Sequence, residues 1–266
     1  MAVSLLSETE TSTLEPLTGL SRWFATSLGR YVANIEQAYF DREVADVFGF
    51  NAFQVGLPEH DFLRANRMPF RCTTAVNGKV AFSSRASALP IRTGVADLVV
   101  MPHALEFSEN PHEVLREVQR VLMPEGHVIL SGFNPWSLWG VRRLATRSST
   151  YPWRGQFVSL ARIKDWFALL GFEMTAGRMG CYVPPFRRGE WRRRFSFMER
   201  AGDRWWPFAG GLYFLHGVKR VQGMRLIAPR WRAAAARERL VVLPQRRTRA
   251  DEILAARSGD GHTDQQ

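Results

Sequence analysis

The sequence predicts an α/β protein in which a mostly parallel β-sheet carries helices on both faces. Buried-type strands alternate with amphipathic helices through the middle of the chain, a pattern typical of parallel sheets joined by crossover helices. The 266 residues are 45% hydrophobic and include 9 Trp and 18 Phe, which is enough to bury a large core without disulfides or metals. We therefore expect one large domain with extensions at its ends.

The first predicted elements are helical. Residues 1–20 are polar and rich in Ser, Thr and Glu, which predicts a disordered segment. Over residues 21–48 apolar side chains recur at steps of three and four, so we expect a helical extension of one or two helices that stops at Gly49. A short strand is expected at 51–57, where an apolar run reaches a glycine.

The centre of the chain has the clearest pattern. Four strands are predicted there, at 70–76, 80–84, Leu98–Met101 and 127–133. Pro102 stops the third of these strands. An amphipathic helix is expected over 110–122, with Asn110 at its N-cap and Pro111 at its first position.

The last third contains further elements and an unusual stretch. The elements are a helix at 159–170 that closes at Gly171, and strands at 172–179 and 211–220. A basic, aromatic segment lies between the two strands. Residues 229–266 are first rich in Arg and Ala and then polar, which predicts an appended helix and a disordered, basic C-terminal extension.

The net charge of +11 is concentrated in that last third. Residues 1–177 contain 17 basic and 17 acidic side chains, whereas residues 178–266 contain 19 basic and 8 acidic ones. A neutral folded body is thus joined to a basic surface or tail. Such a surface either contacts phosphate or anionic lipid, or is solvated without a partner.

Cysteine usage and hydropathy narrow the class of protein. Cys72 and Cys181 lie far apart, which excludes a disulfide scaffold and a cysteine-based zinc cluster, and no metal site is expected. No apolar run approaches the roughly 18 residues that span a bilayer. The N-terminus has no basic residues of the kind that begin a secretory signal. These features predict a soluble protein of the reducing cytoplasm.

The most specific motif of the chain occupies residues 88–135. It reads ALP at 88–90, ADLVVMPHALEF at 96–107 and NPHEVLREVQRVLMPEGHVILSGFNP at 110–135. In this order and spacing, the segments resemble the type 11 group of class I S-adenosylmethionine-dependent methyltransferases, which includes quinone-biosynthesis methyltransferases. The resemblance implies a Rossmann-like seven-stranded sheet within a methyltransferase-like domain over 21–228, with S-adenosylmethionine as the cofactor.

The resemblance also implies a cofactor at the carboxyl edge of the sheet, beside a glycine-rich turn after the first strand. Here the turn consists of Gly56, Leu57 and Pro58, and Pro58 stands where the family has its second glycine. Because proline lacks an amide donor and has a fixed φ, we expect weaker cofactor binding at this turn or a different geometry.

At two other family positions, this sequence also lacks the residue that would contact the cofactor. Residues 70–80 contain no acid to hold the ribose hydroxyls, and Asn77 is the polar side chain that we assign to that place. Arg85 replaces the acid that would accept from the adenine amino group, and a guanidinium could stack on the ring instead. The loop Arg85, Ala86 and Ser87, together with Pro102, completes the expected cofactor lining.

His103 is the catalytic candidate, because it follows a strand at the edge that faces the cofactor in this fold. A histidine there could act as a general base or orient a substrate hydroxyl, or it could only line the pocket. Asn134 and Trp136 follow the next strand and could contact a substrate or cover the sheet. Asp97, just before a buried strand, is expected to be structural.

Arginines and aromatic residues alternate over 184–210, which we interpret as a lid-like insertion. Three readings are open: a lid that packs its aromatics on the sheet, an interfacial segment on an anionic membrane, or a nucleic-acid contact. In the family, lids of this kind accompany apolar, quinone-like substrates.

Two functions follow for the whole chain. The first is a methyltransferase that transfers a methyl group to a small-molecule or lipid-like acceptor. The alternative is a methyltransferase fold that has lost its cofactor and serves as a basic binding module for nucleic acid or an anionic membrane. A compensating carboxylate near the pocket would favour the enzyme, and Glu59 and Glu106 are the candidates.

Overall fold

The computed structural model describes residues 19–146, 150–186 and 189–221. Its seven strands are β1 (Asn51–Val55), β2 (Phe70–Ala75), β3 (Phe82–Ser83), β4 (Ala96–Pro102), β5 (Leu122–Phe133), β6 (Phe172–Gly180) and β7 (Leu212–Lys219). They form one sheet in the order β3-β2-β1-β4-β5-β7-β6, in which β7 runs antiparallel to both of its neighbours. The chain divides into units Met1–Val221 and Gln222–Gln266, and the predictions for 1–18 and 229–266 lie outside the described residues.

Six helices accompany these strands in the described part of the chain. They are α1 (Ser27–Ala45), α2 (Pro111–Val121), α3 (Leu138–Thr146), α4 (Leu160–Leu169), α5 (Gly189–Arg194) and α6 (Phe197–Trp205). A further helical stretch at residues 19–24 precedes α1, so the predicted disorder over 1–20 is wrong for residues 19 and 20. The seven-stranded, mostly parallel sheet with helices and an N-terminal helical extension confirms the predicted fold class.

The helical extension divides at Thr26. Its hydroxyl accepts a hydrogen bond from Gly29 N at 3.1 Å and donates one to Trp23 O at 2.7 Å, so Thr26 both ends the first helical stretch and caps α1. The predicted stop at Gly49 is wrong, because α1 ends at Ala45.

Gly49 has a different role, next to the start of β1. A Cβ atom on Gly49 would lie 2.5 Å from the side chain of Asp97, so only glycine lets this carboxylate approach the backbone. Asp97 Oδ2 accepts hydrogen bonds from Phe50 N at 3.0 Å and Asn51 N at 2.9 Å. The acid before β4 therefore fixes the entry into β1, which is a structural role.

The core lies on both faces of the sheet. One face packs against α1 through buried side chains that include Val32, Phe40 and Val44. The opposite face packs against α2 and α4, whose buried side chains are Val114, Leu115, Val118, Val121, Ile163, Trp166 and Phe167. The helix periodicity that predicted α2 thus matches its buried stripe.

Two details of the central motif differ from the prediction. Asn110 occupies the N-cap position of α2, but its side chain makes no capping hydrogen bond. Strand β5 begins at Leu122 rather than at 127, because Leu122 pairs with Ala96 before the register shifts and His127 pairs with Leu98. The Pro-Glu-Gly segment is therefore an irregularity within the strand and not a turn before it.

The described residues contain no helix that is long and apolar enough to cross a membrane. Within the same residues, no group of three or more His, Cys, Asp or Glu side chains is placed to hold a metal ion.

Candidate functional site

A cavity of about 260 Å³ lies at the carboxyl ends of β1, β2 and β4. Parallel strands bring their carboxyl ends to one edge, and ligands of open α/β sheets bind there, where the strand order reverses. The cavity brings together most of the predicted cofactor lining and the catalytic candidate: Gly56, Leu57, Arg85, Ala86, Ser87, Pro102 and His103. Two predicted residues, Pro58 and Asn77, lie outside this lining.

The turn after β1 is held by the buried side chain of Gln54. Its Nε2 donates to the carbonyl oxygens of Gly56, Leu57 and His60 at 3.0, 3.0 and 2.7 Å, and its Oε1 accepts from Phe62 N at 2.9 Å. One amide thus satisfies backbone groups along the whole loop. A polar side chain replaces the compact glycine turn that the family pattern implies.

Gly56 and Leu57 both have a left-handed backbone, with φ of 92° and 46°. A Cβ atom on Gly56 would meet only Pro102 O, at an ordinary contact distance of 3.7 Å, so the positive φ rather than a lack of space favours glycine here. The backbone N–H of Gly56 donates to Thr74 O at 2.8 Å, so this donor is already occupied by a hydrogen bond to β2.

Pro58 packs against Gly78, the residue that follows Asn77. A Cβ atom on Gly78 would lie 2.6 Å from Pro58 Cγ, which shows how closely the proline packs on the segment after β2. Asn77 is exposed. The ribose-side role that the sequence assigns to Asn77 is therefore not reflected in the shape of the cavity.

Two carboxylates that were not predicted as site residues line the cavity. Glu109 and Glu113, in the connection after β4 and the first turn of α2, line the cavity and are exposed. Glu59 is exposed and absent from the lining, and Glu106 is buried. Glu109 and Glu113 supply acceptor oxygens where β2 supplies none.

Beneath the cavity floor lies a buried cluster of charged side chains. His103 Nδ1 lies 2.6 Å from Glu106 Oε2, and His103 Nε2 lies 2.9 Å from Glu36 Oε1. Ser131 Oγ donates to Glu36 Oε1 at 2.6 Å, and the backbone N–H of Phe133 donates to Glu106. The side chains of His103, Glu36 and Glu106 are fully buried, so ion pairs join α1 to the end of β4 and hydrogen bonds to the carboxylates add β5.

The cluster controls the protonation of the histidine. Burial alone would lower the pKa of His103, but the adjacent carboxylates of Glu36 and Glu106 outweigh it and raise the pKa to about 10. Burial also raises the pKa of Glu106, against the opposing effect of the imidazolium. At neutral pH the ring is therefore protonated, with Nδ1 hydrogen-bonded to Glu106 and Nε2 ion-paired with Glu36.

The backbone of His103 has φ of 52°, a left-handed conformation that is uncommon for a residue with a side chain. Its N–H donates to Ser131 O at 3.1 Å, and the two carboxylates hold the ring. The ion-paired side chain therefore fixes the chain where it leaves β4 and borders the cavity.

Sequence reasoning missed Glu36 because the acid is far from His103 along the chain. A signal was available, since Glu36 stands in the apolar stripe of α1 between Val32 and Phe40. A charged residue at a buried helix position needs a partner of opposite charge or hydrogen-bond donors.

Comparison with known proteins supports the resemblance to type 11 methyltransferases. Residues 64–130 match the family model described as a methyltransferase domain, of type 11. An 87-residue segment is 38% identical to the uncharacterized protein YafS of Escherichia coli K12, and it covers 32% of this chain and 36% of that protein. The match therefore spans about a third of this curated relative.

Solved structures share the fold at low sequence identity. A SAM-dependent methyltransferase from Thermotoga maritima aligns with a TM-score of 0.56 and 15% identity, over 75% of this chain and 93% of that one. A second, from Archaeoglobus fulgidus, aligns with a TM-score of 0.51 and 15% identity, over 70% and 94% of the two chains. Residues 64–130 thus match a methyltransferase domain of type 11, the chain shares its fold with SAM-dependent methyltransferases, and both findings support S-adenosylmethionine as the cofactor.

Proposed function

We propose that this protein is an S-adenosylmethionine-dependent methyltransferase that acts on a small or lipid-like acceptor. The observation that carries the proposal is the cavity at the carboxyl ends of β1, β2 and β4, within the methyltransferase domain. Three segments remote in sequence converge on it: the turn after β1, the loop Arg85–Ser87 and the segment after β4.

The residues present fit the cofactor in a modified way. The turn at Gly56 and the loop Arg85–Ser87 offer backbone and a guanidinium, while Glu109 and Glu113 offer acceptor oxygens for hydroxyl or amino groups. When bound, S-adenosylmethionine supplies an electrophilic methyl group on a sulfonium centre. A negative wall that includes Glu109 and Glu113 suits such a cation.

The work of the protein is positioning. A protonated ring that is ion-paired with two carboxylates has no lone pair free to take a proton, so in this arrangement His103 holds the cavity edge and does not act as a general base. Pro102 and the His103 backbone would then orient the reactants, which is how proximity lowers a transfer barrier. The catalytic role of His103 stays a prediction, and rate measurements can separate it from this positioning role.

The apolar part of the lining favours an apolar acceptor. Leu20, Ala104 and Phe107 border the cavity. Leu20 belongs to the helical stretch at 19–24, which suggests that the N-terminal extension helps to enclose the acceptor.

Titration calorimetry with S-adenosylmethionine and S-adenosylhomocysteine tests cofactor binding directly. We expect low micromolar dissociation constants, equivalent to about 7–8 kcal/mol of binding free energy. Ligand at 100 times the dissociation constant stabilises the fold by about 2.7 kcal/mol, which raises the Tm by about 5–10 °C. Extracts that contain candidate acceptors can then be incubated with the protein and S-adenosylmethionine, and the release of S-adenosylhomocysteine can be measured.

Matched variants place the binding site. Glu113→Gln removes a charge from the cavity wall, and we expect it to weaken binding about tenfold. Glu190→Gln, at an exposed position on α5, serves as its control and should bind as the unmodified protein does. Equal affinities for the two variants would show that the cofactor does not use this wall.

A binding module without cofactor is the second candidate. Gly56 N–H is engaged by Thr74, Gln54 fills the role of the glycine turn, and β2 ends without an acid, and all three features favour it. Absence of both heat and thermal shift at millimolar cofactor would reject the enzyme in favour of this module.

A further inference from the structure

An aromatic surface lies beyond the carboxyl end of β5, apart from the residues that line the cavity. Trp136, Trp205, Trp206 and Phe208 surround a shallow depression and are 82%, 70%, 59% and 77% exposed. Single exposed apolar residues are ordinary on protein surfaces, but a contiguous group of large rings marks an interaction site.

Helix α3, which begins two residues after Trp136, carries further exposed aliphatic side chains. Leu138, Val141 and Leu144 are 48%, 60% and 72% exposed and are spaced three residues apart, so they lie on one side of the helix. The opposite side anchors α3, since Trp139 is buried and its Nε1 donates to Val183 O at 3.1 Å. The exposed side is therefore apolar by sequence and is held outward by the fold.

Within the aromatic group, Asn134 joins Trp136 to the loop that carries Phe208. Its Nδ2 donates to Phe208 O at 2.9 Å and to Gly210 O at 3.0 Å, while its Oδ1 accepts from Trp136 N at 3.0 Å. A buried amide thus positions Trp136 against the loop that carries Phe208. The rings are presented on a fixed scaffold.

Positive charge borders the rings. Arg200 and Arg204 are exposed and lie one turn apart on α6, directly before Trp205. Arg193 and Arg194 are exposed on α5, and residues 184–214 contain seven arginines against three acids. Tryptophan and arginine at the edge of an aliphatic patch are typical of segments that lie in a lipid interface.

Other occupants fit these features less well. Nucleic acid would use the rings and the arginines but would leave the aliphatic side of α3 without a counterpart. A second copy related by a two-fold axis would bring the arginines of both copies into one interface, since such interfaces use the same surface of each copy.

We propose that this aromatic surface, formed by Trp136, Leu138, Val141, Leu144, Trp205, Trp206 and Phe208, docks on an anionic lipid bilayer. The rings and aliphatic side chains enter the headgroup region, and the arginines of α5 and α6 pair with lipid phosphates. The docking does not depend on methyl transfer, so it holds or fails independently of cofactor binding.

Vesicle flotation of the full chain, without cofactor, tests the proposal. The probes are vesicles of phosphatidylcholine alone and of phosphatidylcholine with 30 mol% phosphatidylglycerol. We expect binding to the mixed vesicles to exceed binding to the neutral ones by at least about tenfold at low salt. Trp136→Ser/Trp206→Ser should lower binding to mixed vesicles by about tenfold or more. Arg200→Gln/Arg204→Gln should lower it less and remove part of its salt dependence.

Phe48→Ser is the matched control. Phe48 is 73% exposed but precedes β1, at the amino edge of the sheet and away from the aromatic surface. Its variant should bind vesicles as the unmodified protein does, and circular dichroism should show that all variants are folded.

Three results would overturn the proposal. One is absence of binding to mixed vesicles by the full chain, and another is an equal loss of binding in Phe48→Ser and Trp136→Ser/Trp206→Ser. The third is that these tryptophans prove necessary for binding a single-stranded oligonucleotide or for dimer formation but not for binding vesicles.

Discussion

Replacing His103 with glutamine tests the buried charge cluster. In the structure the imidazolium lies between the carboxylates of Glu36 and Glu106, and all three side chains are fully buried. Its removal leaves two acids facing each other without their counter-charge. Breaking a buried ion pair from one side costs about 3–5 kcal/mol, and we expect a loss of this size at pH 7.

The same cluster predicts a pH dependence whose sign follows from the pKa of His103. Because that pKa rises from 6.5 to about 10 on folding, the folded protein retains a proton that the unfolded chain releases above pH 6.5. The stabilisation is therefore complete below pH 6.5 and is lost as the pH rises towards 10. The raised pKa of Glu106 acts in the same direction.

The magnitude can be worked out for the window from pH 6.5 to 9. One pH unit corresponds to about 1.36 kcal/mol per proton, so the unfolding free energy should fall by about 3 kcal/mol across the window. Buried Cys181, whose pKa is raised from 9.0, contributes only at higher pH. His127, whose pKa is lowered from 6.5, contributes to the pH dependence of stability only below this window.

Urea unfolding at several pH values, followed by circular dichroism, measures both effects. The unmodified protein should lose stability across the window, while His103→Gln should show a flatter profile. His112→Gln changes an exposed histidine on α2 and should follow the unmodified protein. The double variant Glu36→Gln/His103→Gln should regain part of the loss, because one buried charge is then removed. Parallel profiles for His103→Gln and the unmodified protein, or a loss below about 1 kcal/mol at pH 7, would refute the reasoning.

Two further predictions concern the frame of the site. Gln54→Ala removes four hydrogen bonds from the buried loop after β1 and should cost about 2–4 kcal/mol, with faster amide exchange in that loop; unchanged exchange would contradict it. Gly49→Ala should cost about 1–3 kcal/mol in urea unfolding because its Cβ meets Asp97, and Asp97→Gly in the same chain should relieve the clash but lose the anchor of β1. Equal stability of Gly49→Ala and the unmodified protein would remove that argument.

Hydrophobic periodicity predicted the elements of the central motif because their apolar residues are the ones that face the core. Strand β4 and helix α2 bury continuous or regularly spaced apolar residues, so their sequence pattern reports their environment. Helix α3 was not predicted, since Leu138, Val141 and Leu144 are exposed and its apolar side does not face the core. A helix whose apolar side faces outward defeats the rule that apolar residues mark the interior.

Only part of the site could be read from the sequence, because contacts between distant segments have no local signal. The resemblance identified the β1 turn, the loop Arg85–Ser87 and Pro102–His103, since these follow family positions. Gln54 looked like an ordinary strand residue, yet it organises the loop after β1. Its role depends on the carbonyls that the folded loop turns inward, and no spacing rule predicts these.

The positions of the cavity carboxylates bear on whether the altered turn after β1 still allows cofactor binding. Cofactor contacts in the family pattern come from β1 and β2, whereas here the carboxylates of the cavity, Glu109 and Glu113, come from the segment after β4. If that relocation preserves binding, Glu113→Gln should weaken the cofactor while Asn77→Ala leaves it unchanged. The reverse order would return the ribose contact to the end of β2. The two variants together therefore distinguish a rebuilt cofactor site from a retained one, and loss in neither would favour a cavity that no longer serves the cofactor.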